Sequence, residues 1–312
     1  MDQQSARAFI LVGATATGKS AVAQLLAERF GSQIISADSM QVYRGMDIGT
    51  AKVTAAERGS VVYHGLDMAD PDTTWSTGDW LRAVKPHLSA ATPPIATGGT
   101  GLYIRALIQG LDAPAASPEA RKYWDNLLQR EGISALQQAL LSRDPSALAT
   151  LADPQNPRRL IRALEKTDSP TSSPPPPPIT PTPSPHPIAV GLRLPRPVLR
   201  HRITLRATAM FESGLLTEVT SLIRTFPQLS PTAAKAIGYA EAIAHLTGQI
   251  TLQEAIEKTI TRTCQLAKRQ ETWFRHQLSV AWVDITPDDS PATLAEQVAK
   301  LWEKHGPTTL KD

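Results

Sequence analysis

Over its first ~110 residues the chain alternates apolar runs with stretches of helical spacing, the pattern of a parallel sheet covered by helices on both faces. Phe9-Ile10-Leu11-Val12 reads as a buried strand and Ala21-Val22-Ala23-Gln24-Leu25-Leu26-Ala27 as the helix behind it. Gln33-Ile34-Ile35-Ser36-Ala37 is a second short strand, and Pro94-Ile95-Ala96-Thr97-Gly98-Gly99-Thr100 a third that ends in glycines. From about residue 115 the spacing becomes purely helical, with Glu119 to Trp124 and Arg158 to Glu165 on Ala/Leu/Arg-rich helices. Ile188 to Leu192 reads as a strand returning to the sheet, and most of the chain after Pro197 as helix, including a long one from about Leu252 to Leu278.

The expected fold class is therefore α/β: a parallel sheet flanked by helices, with a small all-helical domain inserted. Residues 1–114 form the first part of the core and 115–168 the helical insertion. Residues 169–187 are a proline-rich loop, 188–285 complete the core, and 286–312 are a C-terminal tail. The loop holds ten of the chain's 26 prolines, which forbid helix and interior sheet and favour an extended, mobile, polyproline-like segment. A surface linker, which needs no partner, is the expected role, with a ligand for a proline-recognising domain as the alternative.

Composition narrows the function classes. With 41% hydrophobic and 20% charged residues, the 312-residue chain has enough apolar material for a large core and a smaller one. Cys264 is the single cysteine, so neither an intrachain disulfide nor a multi-cysteine zinc site is available. The first strand starts near residue 8, leaving no room for a targeting peptide, and no apolar run approaches the ~20 residues of a membrane span. The expected setting is the cytoplasm.

The clearest chemistry is Gly13-Ala14-Thr15-Ala16-Thr17-Gly18-Lys19-Ser20, a complete G-x-x-x-x-G-K-[ST] phosphate loop set between a strand and a helix. Its glycines let the backbone wrap around phosphate oxygens. The loop N–H groups and the helix N-terminus add partial positive charge, Lys19 adds a full one, and Ser20 is placed to hold Mg2+. Ligands of open α/β sheets sit beyond the carboxyl ends of the strands, so this loop, Asp38 and Thr100 are expected to share one crevice. The strand ending at Thr97-Gly98-Gly99-Thr100 lacks the aspartate usual in ATPases, which weakens a motor reading. Asp38, after the second strand, is a candidate base for an incoming nucleophile, or a capping or turn residue.

Net charge is only +3, but the cations are unevenly placed. Arg196, Arg200, His201, Arg202 and Arg206 cluster on one helix, with Arg202 and Arg206 four residues apart. On the long helix, Lys258, Arg262, Arg269 and His276 follow at spacings of 4, 7 and 7, with Lys268 and Arg275 beside them, and Trp273 and Phe274 read as core anchors. Arg158, Arg159 and Arg162 make another basic face. Each stripe alone is a solvated helix face or a polyanion surface; two of them beside a phosphate crevice favour the polyanion.

The run from Ala37 through Asp38, Ser39, Met40, Gln41 and Asp47-Ile48-Gly49-Thr50 to Lys52 resembles the signature of the tRNA dimethylallyltransferases, also called tRNA isopentenyltransferases. So do Gly98 to Tyr103, Arg159 to Glu165, Ala236-Ile237-Gly238-Tyr239 and Gln265 to Arg275, in the family's order and covering about residues 8 to 278. The resemblance implies transfer of a dimethylallyl group from dimethylallyl diphosphate to the exocyclic amine of the adenosine immediately 3′ of a tRNA anticodon. The phosphate loop then holds a prenyl diphosphate and not primarily ATP. By similarity, Asp38 orients the amine and takes its proton, Thr100 bonds the bridging oxygen of the leaving diphosphate, and Lys19 and Arg206 neutralise it, with Mg2+ at Ser20. The implied partners are the tRNA anticodon stem-loop and dimethylallyl diphosphate, with no membrane, for a monomeric enzyme.

Carried over residue by residue, Asp38 to Gln41, Arg158 to Arg162 and Lys235 to Ala240 match stretches that contact tRNA in the family; with the basic faces, the expected tRNA contacts are Asp38, Ser39, Met40, Gln41, Thr100, Lys122, Arg158, Arg159, Arg162, Lys235, Gly238, Tyr239, Arg262, Lys268 and Arg269. The chain departs from the family in several places. Ala14 stands for the usual proline and Thr17 for the usual serine. Ala240 replaces a common basic residue, which puts one tRNA contact in doubt. The proline-rich segment replaces the turn after Glu165, and no Cys/His finger follows Arg275, as in the bacterial form. A small-molecule kinase would share the phosphate loop and Asp38 but leaves the arginine-rich helices unexplained. A non-catalytic tRNA-binding relative would leave the intact Lys19, Ser20, Asp38, Thr100 and Arg206 unexplained.

Overall fold

The computed structural model describes residues 6–111, 117–168, 187–286 and 288–311. The chain divides into two compact units, Met1–Gly110 with Pro178–Asp312, and Leu111–Pro177. The proline-rich segment lies outside the described residues except for Pro187.

The first unit is built on a sheet of seven strands: β1 (Arg7–Gly13), β2 (Ile34–Ser36), β3 (Tyr63–His64), β4 (Ile95–Gly98), β5 (Ala189–Arg193), β6 (Val280–Asp284) and β7 (Thr308–Thr309). The order is β3-β2-β4-β1-β5-β6, with all of these pairs parallel and β7 antiparallel to β1. β1 is central because its apolar residues serve both faces. Ile10 and Val12 join the core that contains Trp80, Tyr103 and Phe274, while Leu11 joins the opposite core with Val22, Leu26 and Ile203. Such two-sided burial is what a near-continuous apolar strand requires.

The described part of residues 286–312, expected as a tail, contributes a helix and a strand to this unit. Ser290 caps the helix Pro291–His305, which buries Leu294, Val298 and Trp302 in the second core, and β7 follows it to pair with Arg7 and Ala8. Those three apolar residues lie four apart, one stripe of a helix, and Trp302 stacks on Phe9 with ring centroids 4.8 Å apart.

The second unit consists of the helices Pro118–Glu131, Ile133–Arg143, Pro145–Thr150 and Pro157–Thr167. Three of them open with proline, where the missing N–H has no partner to lose, behind Ser117, Asp144 and Asn156 caps. Trp124, Leu136, Leu140, Leu160, Ile161 and Leu164 form its own core.

Candidate active site

The phosphate loop leaves β1 and enters the helix Lys19–Phe30. Gly18 has φ of 91°, a conformation that suits glycine, while Ala16 adopts φ of 64° despite its methyl group, a strained position of the kind stored at ligand sites. The buried Thr17 hydroxyl donates to the Ala14 carbonyl at 2.9 Å and closes the loop, and Lys19 Nζ donates to the same carbonyl at 2.7 Å. Burial holds the Lys19 ammonium down to about pKa 8; Asp38 pulls it up and Arg206 pushes it further down.

The carboxyl ends of β2 and β4 bring Asp38 and Thr100 to this loop. Gly98 makes their approach possible: a Cβ there would collide with the Ala37 carbonyl, so only glycine lets the two strand ends run this close. Asp38 Oδ1 accepts from the Met40 N–H at 2.9 Å, which fixes one oxygen in a local turn. Thr100 Oγ1 accepts from the Ser39 N–H at 3.0 Å and faces Ser39 Oγ at 3.3 Å, so it tethers the segment that carries Asp38. Thr100 precedes the helix Gly101–Gln109 and stands one residue beyond Gly99, which lines the cleft.

The remaining walls come from the C-terminal half. Arg202 and Arg206, on the helix Arg196–Glu212, reach a cleft of about 350 Å³ that is also lined by Lys19, Ser20, Asp38 and Gln270. Among the described residues lining it, three cations face one carboxylate, an excess suited to a phosphorylated ligand. Burial also lowers the Arg206 pKa, and Asp38 opposes that. A neighbouring cleft of about 100 Å³ shares Asp38, Thr50 and Arg206 but is walled chiefly by Met40, Ile203, Met210, Ile237 and Leu266. Two threonines in its wall direct their hydroxyls back into their own helix, Thr259 to the Ala255 carbonyl at 2.8 Å and Thr263 to the Thr259 carbonyl at 2.7 Å. The second cleft therefore presents carbon. Asp38 and Arg206 stand at the junction between a charged compartment and a more apolar one.

Two site residues escaped the sequence reading. Gln270, on the helix Leu252–Gln277, accepts the Thr15 N–H at 2.8 Å through Oε1, while its amide group covers Gly99, where a Cβ would strike Nε2. Its signal was a polar residue between the buried Ala267 and Phe274, on the apolar face of the helix. Thr97, at the end of β4, lines the charged cleft with its buried Oγ1 unpartnered. In the sequence it was one more β-branched strand residue.

The expected tRNA contacts are scattered by the structure into several settings. Ser39, Met40 and Gln41 stay beside the clefts, and Gln41 is held by the Ser36 hydroxyl at 2.8 Å. Lys235, Lys268 and Arg269 are exposed to differing degrees at the surface, as are Lys122, Arg158 and Arg159 in the helical unit. Arg162 is half-buried and donates to the buried Glu165 at 3.1 Å. Arg262, half-buried, pairs with Glu241 and donates to the Lys235 carbonyl at 2.9 Å, so its guanidinium is engaged in holding the loop that carries Lys235. Tyr239 departs furthest from the expectation. It is only 1% exposed, next to the buried Gly238, and its hydroxyl donates to Glu218 at 2.6 Å. No helix among the described residues is long and apolar enough to cross a membrane.

Comparison with known proteins bears on this arrangement. Residues 41–277 match the family described as IPP transferase, and residues 6–62 match that described as isopentenyl transferase. The chain is 38% identical over 281 residues to the tRNA dimethylallyltransferase of Streptomyces coelicolor, covering 89% of this chain and 90% of that one. It is 40% identical over 302 residues to the protein of the same name from Thermobifida fusca, covering 94% and 93%. The crystal structure of the full-length tRNA isopentenylpyrophosphate transferase of Bacillus halodurans superposes with a TM-score of 0.67 at 35% identity, covering 96% of this chain and 97% of that one.

Proposed function

We propose, for a chain that belongs to the IPP transferase family, that the charged cleft holds the diphosphate of dimethylallyl diphosphate and the more apolar cleft its five-carbon chain. The chain is a tRNA dimethylallyltransferase. It transfers the dimethylallyl group to N6 of the adenosine immediately 3′ of the anticodon, releasing diphosphate. The observation that carries the assignment of roles is the position of Asp38 and Arg206, which line both clefts at once.

An adenine amine is a weak nucleophile, since its lone pair is delocalised into the ring. Most of the barrier therefore falls when the site stabilises charge on the leaving group. Lys19, Arg202 and Arg206 supply that charge, and the loop N–H groups supply dipoles. The N6 lone pair forms the new bond to the allylic carbon as the carbon–oxygen bond breaks, the electron pair leaves with the diphosphate, and Asp38 receives the N6 proton. Thr100 keeps Asp38 in place through Ser39, and its hydroxyl, which donates to Ser39 Oγ at 3.3 Å in the free site, would turn to donate to the bridging oxygen. The adenine must leave its stack to reach this junction, at about a few kcal/mol.

Mg2+ fits the oxygen donors present. The Thr97 hydroxyl is buried, lines the charged cleft and has no partner among the described residues, and Ser20, in the first turn of the helix, lines the same cleft. Ser20 and Thr97 would hold the ion, which would offset charge on the diphosphate. Surface residues Lys235, Lys268 and Arg269, with Lys122, Arg158 and Arg159 of the helical unit, take the phosphates of the anticodon stem-loop. The enzyme acts as a monomer in the cytoplasm, where this substrate is found.

The experiment is incubation with Mg2+, dimethylallyl diphosphate and unmodified tRNA, followed by nuclease digestion and mass spectrometry of the nucleosides. Dimethylallyl-adenosine forms with the native chain and not with Asp38→Ala, which still binds tRNA. If Asp38→Ala lost tRNA affinity to the extent that it lost turnover, Asp38 would be an anchor for tRNA and not the base.

A further inference from the structure

Tyr239 is the residue whose position least fits a tRNA contact, and the groups around it point to a different task. Its phenol lies against Gly49 so closely that a Cβ at position 49 would overlap the ring. Its hydroxyl donates to Glu218 Oε1 at 2.6 Å. The other oxygen of that carboxylate, Oε2, accepts the Ile48 N–H at 2.8 Å and the Asp47 N–H at 3.2 Å. Glu218 lies on the helix Leu215–Thr225, and Tyr239 opens the helix Tyr239–Leu246. Two helices thus close on one turn of a distant segment, and that turn leads directly to Thr50, which lines both clefts.

The chemistry of the contact is that of a clamp. The half-buried Glu218 side chain accepts three hydrogen bonds, one from the Tyr239 hydroxyl and two from backbone N–H groups, so removing one donor loosens a shared contact. Burial and the adjacent Glu218 carboxylate both raise the Tyr239 pKa, so the phenol stays protonated and remains a donor. Lys52 secures the far side of the same turn: its buried ammonium donates to the Tyr43 carbonyl at 2.8 Å, to Asp47 at 2.5 Å and to Asp67 at 2.7 Å. Behind Tyr239, the Gly238 N–H donates to Glu241 at 2.8 Å, and Glu241 pairs with Arg262, which also holds the Lys235 carbonyl. Lys235 is therefore connected through fixed contacts to the wall of the donor site.

We infer that Tyr239 and Glu218 are positioning residues that hold the Asp47–Thr50 turn, and through it Thr50 in the wall of the two clefts, so that the segment carrying Lys235 and the donor site move as one piece. The role of the wall rests on the division of the clefts proposed above. Tyr239 acts through Thr50 and makes no contact with tRNA.

The test uses the full chain with Tyr239→Phe, which keeps the ring on Gly49 and removes only the hydroxyl, and with Glu218→Gln. Three quantities are read: the dissociation constant for unmodified tRNA, kcat and KM for dimethylallyl diphosphate, and the hydrogen-exchange rates of the Asp47 and Ile48 amides. For Tyr239→Phe, kcat/KM for the donor falls about tenfold, the two amides exchange about tenfold faster, and tRNA affinity stays within about twofold. Combining Tyr239→Phe with Glu218→Gln costs less than the product of the two single effects, because both act on one contact. A tenfold loss of tRNA affinity with unchanged donor kinetics would overturn the inference and make Tyr239 a tRNA contact. Unchanged exchange at Asp47 and Ile48 would also overturn it. The exchange measurement needs no turnover, so it decides the clamp even if the native chain forms no prenylated product, a result that would refute the proposed reaction instead.

Discussion

Lys19 provides the sharpest quantitative expectation, and raising pH is the change that tests it. In the folded chain its ammonium titrates at about 8 and not at the ordinary 10.5, mainly because it is buried. At about 1.36 kcal/mol for each unit, charging Lys19 in the cleft costs about 3 kcal/mol more than in water. A bound diphosphate offsets that cost and draws the proton back. Above pH 8 the free protein has given up the proton that the complex needs, so binding takes up close to one proton, and affinity falls about tenfold for each further pH unit. The assay is calorimetric titration with a non-reactive thio analogue of the donor, in the presence of Mg2+, from about pH 7 to 9.5. Two buffers of different ionisation enthalpy reveal the proton uptake, and Lys19→Met corrects for ionisation of the analogue. The stability of the free protein has the opposite sign. Because the unfolded chain binds the Lys19 proton up to 10.5 and the folded chain only to about 8, this group makes stability rise with pH between those values. An affinity that stays flat to about pH 9.5 with no proton uptake would sink this account, since the ammonium would then be charged in the empty cleft.

Three further expectations concern other parts of the site. Gly98→Ala drives a methyl into the Ala37 backbone carbonyl and should destabilise the fold by about 2 kcal/mol or more in urea, whereas Gly99→Ala meets only the movable Gln270 amide and should raise the donor KM with little loss of stability; equal effects would deny the distinction. Thr97→Val should weaken Mn2+ binding to the diphosphate complex, read from the spin resonance of free Mn2+, and an unchanged affinity would leave Ser20 alone at the ion. Lys268→Gln with Arg269→Gln should weaken tRNA binding and lower the slope of log affinity against log salt by about 0.7 to 0.9 for each phosphate that is no longer neutralised, and an unaltered slope would place the tRNA elsewhere.

Those parts of the protein whose physics is local were legible in the chain before it folded. A strand, a glycine-bearing turn and a helix in immediate succession define the phosphate loop, because the spacing alone aims its N–H groups and Lys19 at one ligand. Asp38 and Thr100 could be assigned to the same crevice from their places at strand ends, and the strands of residues 9–12, 33–37, 94–100 and 188–192 all fall on strands of the sheet. The two-residue β3 is too short to leave a pattern. The stripe Leu294, Val298, Trp302 was present in the sequence, yet a stripe does not say which surface will cover it, so the last helix passed for a tail.

Which polar groups face inward, and what they touch, was settled by packing. Gln270 lies 255 positions from the Thr15 N–H that it holds, and no periodicity links the two. Tyr239 belongs to a block that resembles a tRNA-contacting segment and Arg262 to a basic helix stripe, but a motif or a stripe records residue type and spacing, not burial. Once the helices pack, Tyr239 faces Glu218 and Gly49, and Arg262 faces Glu241. The cleft is closed by side chains whose partners come from far along the chain, and those pairings exist only after the sheet and its helices have assembled.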